Sequence, residues 1–369
     1  MKKINIITFQ NAHNYGAMLQ TYALQQKLSE KNDVTIINYE NSTIGDSYKV
    51  IHILKENAKS FIKSVIKSML YFLKRKKRFY NFRKFVKENL NLTKETFYSE
   101  IELKEKYPSA DIYITGSDQV WNSKITKGLQ DSYTLNFGDE HTKRISYAAS
   151  IGNSKISEEE KNIYKEKISK LDYISVREET AKKVLEEILE KPIEVVLDPT
   201  LLLKKEDWEN KIANFKREKQ KYILAYVVEP DQEYVKIVNE LSQKTGLKVI
   251  HFSFRNMKLK NILRNASIEG PLEFINLIKN AEYIICTSFH ATIFSIIFNK
   301  KFFVVPHRET GSRVTDLLRK MEISNRAIDS LDAFCKLNYN EEIDYEKINI
   351  IIESERNKSL KWLNNAINS

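Results

Sequence analysis

Apolar and polar positions along this chain fall into blocks whose period keeps switching between strand-like and helix-like. Lys3–Phe9 is a β-rich run that predicts a buried first strand. Gly16–Ser29 follows with Ala17, Leu19, Ala23, Leu24 and Leu28 near helical spacing. Val34–Tyr39, Asp111–Thr115, Arg144–Ala149, Tyr173–Val176 and Ile193–Leu197 read as further strands, and Thr180–Leu189 carries a helical period. After a charged stretch, Lys204–Lys221, the alternation resumes. Strands are expected at Tyr222–Val228, Lys248–Phe252, Tyr283–Cys286 and Lys301–Val305. Helices are expected at Asp231–Thr245, Pro271–Asn280, Ser288–Phe298 and Val314–Met321, with an amphipathic one at Tyr345–Ile367.

Strand and helix in alternation predict an α/β fold with mostly parallel, doubly wound sheets. The expected organisation is two Rossmann-like lobes facing a cleft. Residues 1–205 form the first lobe, with a basic amphipathic insert over 50–90. Residues 206–345 form the second, and 346–369 a terminal helix that packs back. A chain of 369 residues suits two such domains.

Composition narrows the class. Hydrophobic residues at 42% and charged residues at 30% supply real cores and argue against disorder. Cys286 and Cys335 are too few for a disulfide framework or a cysteine-built zinc site, so a cytoplasmic setting is expected. The N-terminal apolar run is cut by Asn5 and ends at Gln10-Asn11, which fits a strand better than a signal peptide.

Charge is concentrated rather than spread. Twelve Lys and Arg lie between Lys55 and Lys87 against Glu56 alone, so this segment accounts for the chain's net charge of +11. Ile51, Leu54, Phe61, Ile62, Val65, Ile66, Met69 and Leu70 make an apolar stripe among the lysines, followed by the block Lys74–Arg78. That pattern fits a helix docking on an anionic membrane surface, or a solvated helix covering the lobe. No nucleic-acid recognition motif accompanies it, so nucleic acid is not an expected partner.

Phosphate-loop, dinucleotide, zinc-protease and serine-hydrolase motifs are all absent. Three polar clusters sit where predicted strands end. Asn11 to Gln20 contains His13, Asn14, Tyr15 and Gly16 at the start of a helix, where free N–H groups suit an anion or an Asn cap closes a plain turn. Gly116 to Asn122 contains Asp118, Gln119 and Trp121. Trp121 either stacks on a sugar face or belongs to the core, and Asp118 either serves a ligand or caps a helix. Cys286 to Thr292 places His290 in the first turn of an otherwise apolar helix, behind Thr287 and Ser288, which can cap it. Arg177 follows a strand end and either points into the cleft or pairs with Glu178 or Glu179. Asp198-Pro199-Thr200 reads as a turn at the lobe crossover. Arg308 and Arg313 either reach a phosphate or are surface charge.

These clusters occur in an order that resembles the polysaccharide pyruvyl transferase family. The matching residues are Asn14-Tyr15-Gly16-Ala17-x-Leu19-Gln20-x-Tyr22-Ala23-Leu24, Gly116-Ser117-Asp118-Gln119-Val120-Trp121-Asn122 and Tyr147 to Gly152. Ser175-Val176-Arg177-Glu178, Leu197 to Thr200 and Ser288-Phe289-His290 complete the set, so the resemblance runs from about Lys3 to Arg326. It implies a fold similar to the two-lobed glycosyltransferase-B architecture, with the acceptor side in residues 1–205 and the donor side in 206–345. It also implies transfer of the pyruvyl group of phosphoenolpyruvate onto two sugar hydroxyls as a ketal, in cell-surface or capsular polysaccharide biosynthesis. On this basis His290 and Asp118 are expected to be catalytic, with His13 a second candidate base. Arg177, Ser288, Phe289 and Arg313 are expected to bind the donor. His13, Asn14, Tyr15, Gln20, Gln119 and Trp121 are expected to face the acceptor. No metal or cofactor beyond the donor is expected. A lipid-diphosphate-linked acceptor would explain the basic segment, with the protein peripheral on the inner membrane face. Better-known members carry Arg-Leu-His where this chain has Ser288-Phe289-His290. The phosphate-binding cation must then come from Arg177, Arg255, Arg308 or Arg313, or the donor site has changed. A nucleotide-sugar glycosyltransferase and a non-catalytic sugar-binding protein are the alternatives.

Overall fold

The computed structural model describes residues 1–41, 58–152, 156–228, 232–254, 257–306 and 311–369, with backbone alone for 58–71. Arg255, Arg308 and the side chains of the predicted apolar stripe lie outside the described residues.

The first lobe is built on β1 (Lys3–Ile7), β2 (Asp33–Tyr39), β3 (Leu92–Phe97), β4 (Ile112–Thr115), β5 (Lys143–Ala149), β6 (Tyr173–Val176) and β7 (Ile193–Val195). They pair in the order β3-β2-β1-β4-β5-β6-β7, all parallel. The second lobe contains β8 (Tyr222–Tyr226), β9 (Lys248–Phe252), β10 (Ile262–Asn265), β11 (Tyr283–Cys286) and β12 (Lys301–Val304) in the order β10-β9-β8-β11-β12, again parallel. Both orders are those of a Rossmann sheet, whose ligands bind beyond the carboxyl ends of the strands where the order reverses. In the first lobe that point lies between β1 and β4, and in the second between β8 and β11. The chain is thus α/β with two Rossmann-like lobes, in the manner of the glycosyltransferase-B architecture.

Central strands β4, β8 and β11 are buried at every position, as expected for parallel strands covered on both faces. Edge strands β3 and β10 are half-exposed, and the hydrophobic pattern missed both, because an edge strand with one wet side carries no continuous apolar run. The predicted strand to Leu197 stops at Val195, where a 3₁₀ turn, Pro199–Leu201, takes over under Asp198.

An apolar seam joins the lobes. Tyr15 stacks on Phe274 at 4.4 Å between ring centres, and Trp208, edge-on against Phe294 at 5.0 Å, meets Tyr22 of the first lobe at 5.7 Å. The terminal helix Tyr345–Asn368 starts on the second lobe, where the Tyr345 hydroxyl donates to the Lys300 carbonyl. It finishes on the first, where Ser359 Oγ accepts from the Leu197 N–H, and Lys2 Nζ donates to the Ile367 carbonyl.

The basic segment forms one long helix, Ala58–Asn89. Phe82 and Phe85 bury its inner face, whereas Leu73, Lys74, Lys76, Lys77 and Tyr80 face solvent. The predicted membrane-facing block Lys74–Arg78 is therefore divided. Arg78 turns inward, donating through Nη1 to the Tyr15 hydroxyl (2.6 Å) and the Ser267 carbonyl (2.7 Å), and through Nη2 to the His13 carbonyl (3.0 Å). Among the described residues no helix is long and apolar enough to cross a membrane.

Candidate functional site

Two helices open toward each other between the lobes. Asn14 caps helix Tyr15–Ser29, its Oδ1 accepting from the N–H groups of Gly16 and Ala17. Ser288 caps helix Phe289–Ile297, accepting from the Ala291 N–H. Gly16 is where they touch: a Cβ there would lie 2.0 Å from His290 Nδ1, so only glycine lets the imidazole pack on this backbone.

The other edge of the imidazole faces Asp198. His290 Nε2 stands 3.4 Å from Asp198 Oδ2, close enough for an ion pair but not aligned as a hydrogen bond. Asp198 is fully buried and heavily engaged. Its Oδ2 accepts from Arg177 Nη1 (2.9 Å) and Ser117 Oγ (3.0 Å), and its Oδ1 from the Thr200 N–H and hydroxyl. Burial works to raise this carboxyl, but His290, Arg177 and Thr200 outweigh it and hold it well below the usual carboxylate range.

Arg177 is also buried and only partly satisfied. Nη1 donates to Asp198 and Ser117, while Nε and Nη2 have no hydrogen-bond partner. Glu178 Oε2 stands 3.7 Å from Nε. Burial disfavours the cation, but Asp198, Glu178 and Asp118 together raise its pKa above the ordinary value, so the charge is secure. The guanidinium lies 4.4 Å over the Phe289 ring, and Arg313 approaches the same ring at 5.9 Å. Arg313 is lowered to about 10 by burial and by the neighbouring Arg177, and still carries its charge at neutral pH. Its Nε likewise has no hydrogen-bond partner. Arg177, Glu178, Asp198, Phe289 and Arg313 line an open pocket of about 230 Å³.

Asp118 stands at the edge of this group. Its backbone is in the left-handed region at φ 84°, which a residue with a side chain rarely adopts. The next strand is bulged at the same level, with Ala148 at φ 53° and Asp118 bridging to Ala149. Asp118 Oδ1 accepts from the Gln119 N–H. Gln119 Oε1 accepts from Asn122 and presses on Gly152, where a Cβ would lie 2.1 Å away.

His290, Arg177, Asp118, Phe289 and Arg313 therefore come together, with Ser288 capping the helix that presents two of them. Several expected acceptor contacts do not. Trp121 is wholly buried, its Nε1 bonded to the Tyr133 carbonyl, so it is a core residue and no sugar can stack on it. Gln20 is equally buried, donating to Thr8, Ala17 and Thr21. Tyr15 belongs to the seam, with its hydroxyl on the Glu269 carbonyl. Asn14 has its Oδ1 occupied as a cap. His13 sits among Phe79, Phe82 and Arg78, lowered to about 4 by burial and by the charges of Arg78 and Arg83. It belongs with the Arg78 seam. Cys286 is buried beside the cluster and pushed up to about 11, which leaves the thiol inert as a nucleophile.

Sequence reasoning missed three members. The sequence reads Asp198 as a turn residue, yet it is the anchor to which Arg177, Ser117 and His290 converge. Ser117 is named only within its motif, and Glu178 only as a pairing partner of Arg177, beside more conspicuous neighbours. An acidic residue at a strand end, immediately before a Pro-led crossover, was the available signal for Asp198.

The profile of the family described as polysaccharide pyruvyl transferase matches residues 14–309. The chain belongs to that family, whose members are transferases acting toward polysaccharide. No curated protein matches the sequence. Among solved structures, the chain is similar to the UDP-GlcNAc 2-epimerase of Methanocaldococcus jannaschii, at 16% identity and a TM-score of 0.48, over 96% of this chain and 92% of that one. It is also similar to a glycosyltransferase of Streptomyces sp. SF2575, at 10% identity and a TM-score of 0.46, over 97% of this chain and 96% of that one.

Proposed function

We propose that this chain transfers the pyruvyl group of phosphoenolpyruvate onto two hydroxyls of a sugar as a ketal, in the biosynthesis of a cell-surface polysaccharide. The observation that carries this reading is Arg177. A buried guanidinium with two nitrogens lacking hydrogen bonds is costly unless a ligand completes it, and a phosphate or carboxylate does so in the bidentate geometry that arginine favours. Arg313, against the same Phe289 ring, supplies a second cation. It takes the place of the arginine that better-known members carry where this chain has Ser288.

The donor's phosphate then sits at Arg177 and Arg313, near the start of helix Phe289–Ile297, whose first N–H groups favour an anion. His290 protonates the methylene carbon, with Asp198 stabilising the imidazolium. A sugar hydroxyl adds to the cationic carbon and Asp118 takes its proton. A second hydroxyl displaces phosphate. Holding both substrates in one cleft supplies orientation. The solvent-facing Leu73, Lys74, Lys76, Lys77 and Tyr80 would rest on anionic lipid, which suits an acceptor carried on a lipid diphosphate.

The test is phosphate release from phosphoenolpyruvate, followed by phosphorus NMR across lipid-linked and free galactosides, mannosides and hexosaminides. Acceptor-dependent release is expected. No release with any acceptor, together with no binding of phosphoenolpyruvate, would overturn the reading in favour of a nucleotide-sugar donor.

A further inference from the structure

Closing a ketal removes two hydroxyl protons, and the groups named so far take up only one. Glu178 is the carboxylate left over. It occupies the cap position of helix Glu179–Glu186 but makes no capping hydrogen bond. Its side chain turns inward instead and is 4% exposed. Oε1 accepts from Ser150 Oγ at 2.6 Å, and Ser150 Oγ in turn accepts from the Gly152 N–H. The hydroxyl proton of Ser150 is thus committed to Glu178, which fixes the carboxylate plane. Oε2 has no hydrogen-bond partner and stands 3.7 Å from Arg177 Nε, on the wall of the pocket that holds Arg313. A fixed, buried carboxylate oxygen beside two cations is well placed to pass a proton to an oxygen that those cations hold.

We infer that Glu178 is a catalytic residue of the second half of the reaction, taking the proton of the second sugar hydroxyl and delivering it to the departing phosphate. This rests on the pyruvyl-transfer reading above. The second hydroxyl oxygen forms its bond to the ketal carbon as the bond from that carbon to the phosphate oxygen breaks. The bonding pair leaves with phosphate, and the hydroxyl proton travels through Glu178 Oε2 to the oxygen released. Of the two hydroxyl protons, one balances the proton gained by the methylene carbon and the other ends on phosphate. No oxidant or reductant is needed.

The experiment compares wild type with Glu178→Gln in deuterated water, with phosphoenolpyruvate and the acceptor found above. Gln keeps an oxygen for Ser150 but cannot carry the proton. Phosphoenolpyruvate affinity by calorimetry is expected within about threefold of wild type, and phosphate release about a hundredfold slower. Acceptor-dependent deuterium entry into the methylene of recovered phosphoenolpyruvate is expected to persist, because the first addition still forms and reverses. Release within a few-fold of wild type would overturn the inference. So would a matching loss of donor affinity, which would make Glu178 merely an orienter of Arg177, or loss of exchange together with release. If Glu178→Gln does not fold, Ser150→Ala reads the same step, with an expected tenfold slowing of release, roughly one lost hydrogen bond, and exchange retained; unchanged release would again count against it. Wild type showing neither release nor exchange would defeat the pyruvyl-transfer reading itself, a distinct outcome.

Discussion

Two arginines bridge elements along the cleft, half-buried Arg78 and buried Arg177, and they are arranged differently. Arg78 puts both Nη groups on neutral oxygens, those of Tyr15, Ser267 and His13, and lies 4.7 Å over the rings of both Tyr15 and Phe82. These partners come from both lobes, so the residue ties them together. Arg177 puts one Nη on Asp198 and Ser117 and leaves Nε and Nη2 without hydrogen bonds. Burying a donor unpaired costs about 1–3 kcal/mol. A fold that needed only a strut would have closed Arg177 as it closed Arg78. The contrast separates an arginine that holds structure from one kept ready for an anion.

Substituting each arginine tests that contrast most directly. Arg177→Lys keeps the charge but loses the fork, and acceptor-dependent phosphate release should fall about a thousandfold, roughly 4 kcal/mol of transition-state stabilisation. Arg78→Met should leave release by folded protein within about threefold, yet lower stability in urea by about 2–3 kcal/mol. Similar profiles for the two variants would erase the distinction. Gly16→Ala is expected to have a smaller effect on both properties. Its Cβ would meet His290 Nδ1 at 2.0 Å, and relieving that clash moves the imidazole relative to Asp198. Stability should drop by about 1–2 kcal/mol and release by about tenfold. Unchanged activity would show that His290 tolerates displacement and is not the acid.

The smallest effect is a pH dependence on the Arg78 side. His13 is held at about 4 in the folded protein by burial and by Arg78 and Arg83, against about 6.5 when unfolded. Folding thus favours its neutral form. The contribution is complete above pH 6.5 and is lost as pH falls toward 4, because the unfolded chain takes up the proton first. Asp198, depressed in the opposite chemical sense, contributes fully above the ordinary carboxylate range and weakens only below about pH 4. Between pH 6.5 and 4.5 His13 shares the interval with His251, which burial also lowers, and with Glu273, which burial raises, so His13→Asn is needed to single out its part. Urea midpoints across it should fall by the equivalent of about 1–2 kcal/mol, and by less in His13→Asn. An equal fall in both would place the titrating group elsewhere.

Much of the fold was legible because the central strands are buried on both faces and so read as continuous apolar runs. Tyr283–Cys286 and Lys248–Phe252 were located to the residue for that reason. The edge strands Leu92–Phe97 and Ile262–Asn265 were not, since their wet side breaks the pattern. His290, Arg177 and Asp118 stood out as polar groups at strand ends, and the structure does gather them. Trp121 stood out equally and was misread, because an aromatic beside carboxamides looks the same in sequence whether it faces a sugar or Tyr133.

Alternating hydrophobic periods were sufficient on their own to specify two parallel α/β lobes, and the ordered polar motifs were sufficient to specify the family. Both are local properties, carried by residues near one another in the chain. Which polar groups meet was decided only by tertiary structure. Asp198 and Arg177 are drawn together from successive strand ends, Ser117 from an earlier one, and His290 from the other lobe, held against Gly16. A carboxylate's pKa falls when cations and hydrogen-bond donors surround it, and an arginine nitrogen goes unbonded only when its surroundings withhold an acceptor. Those conditions exist in space and leave no periodic trace along the sequence.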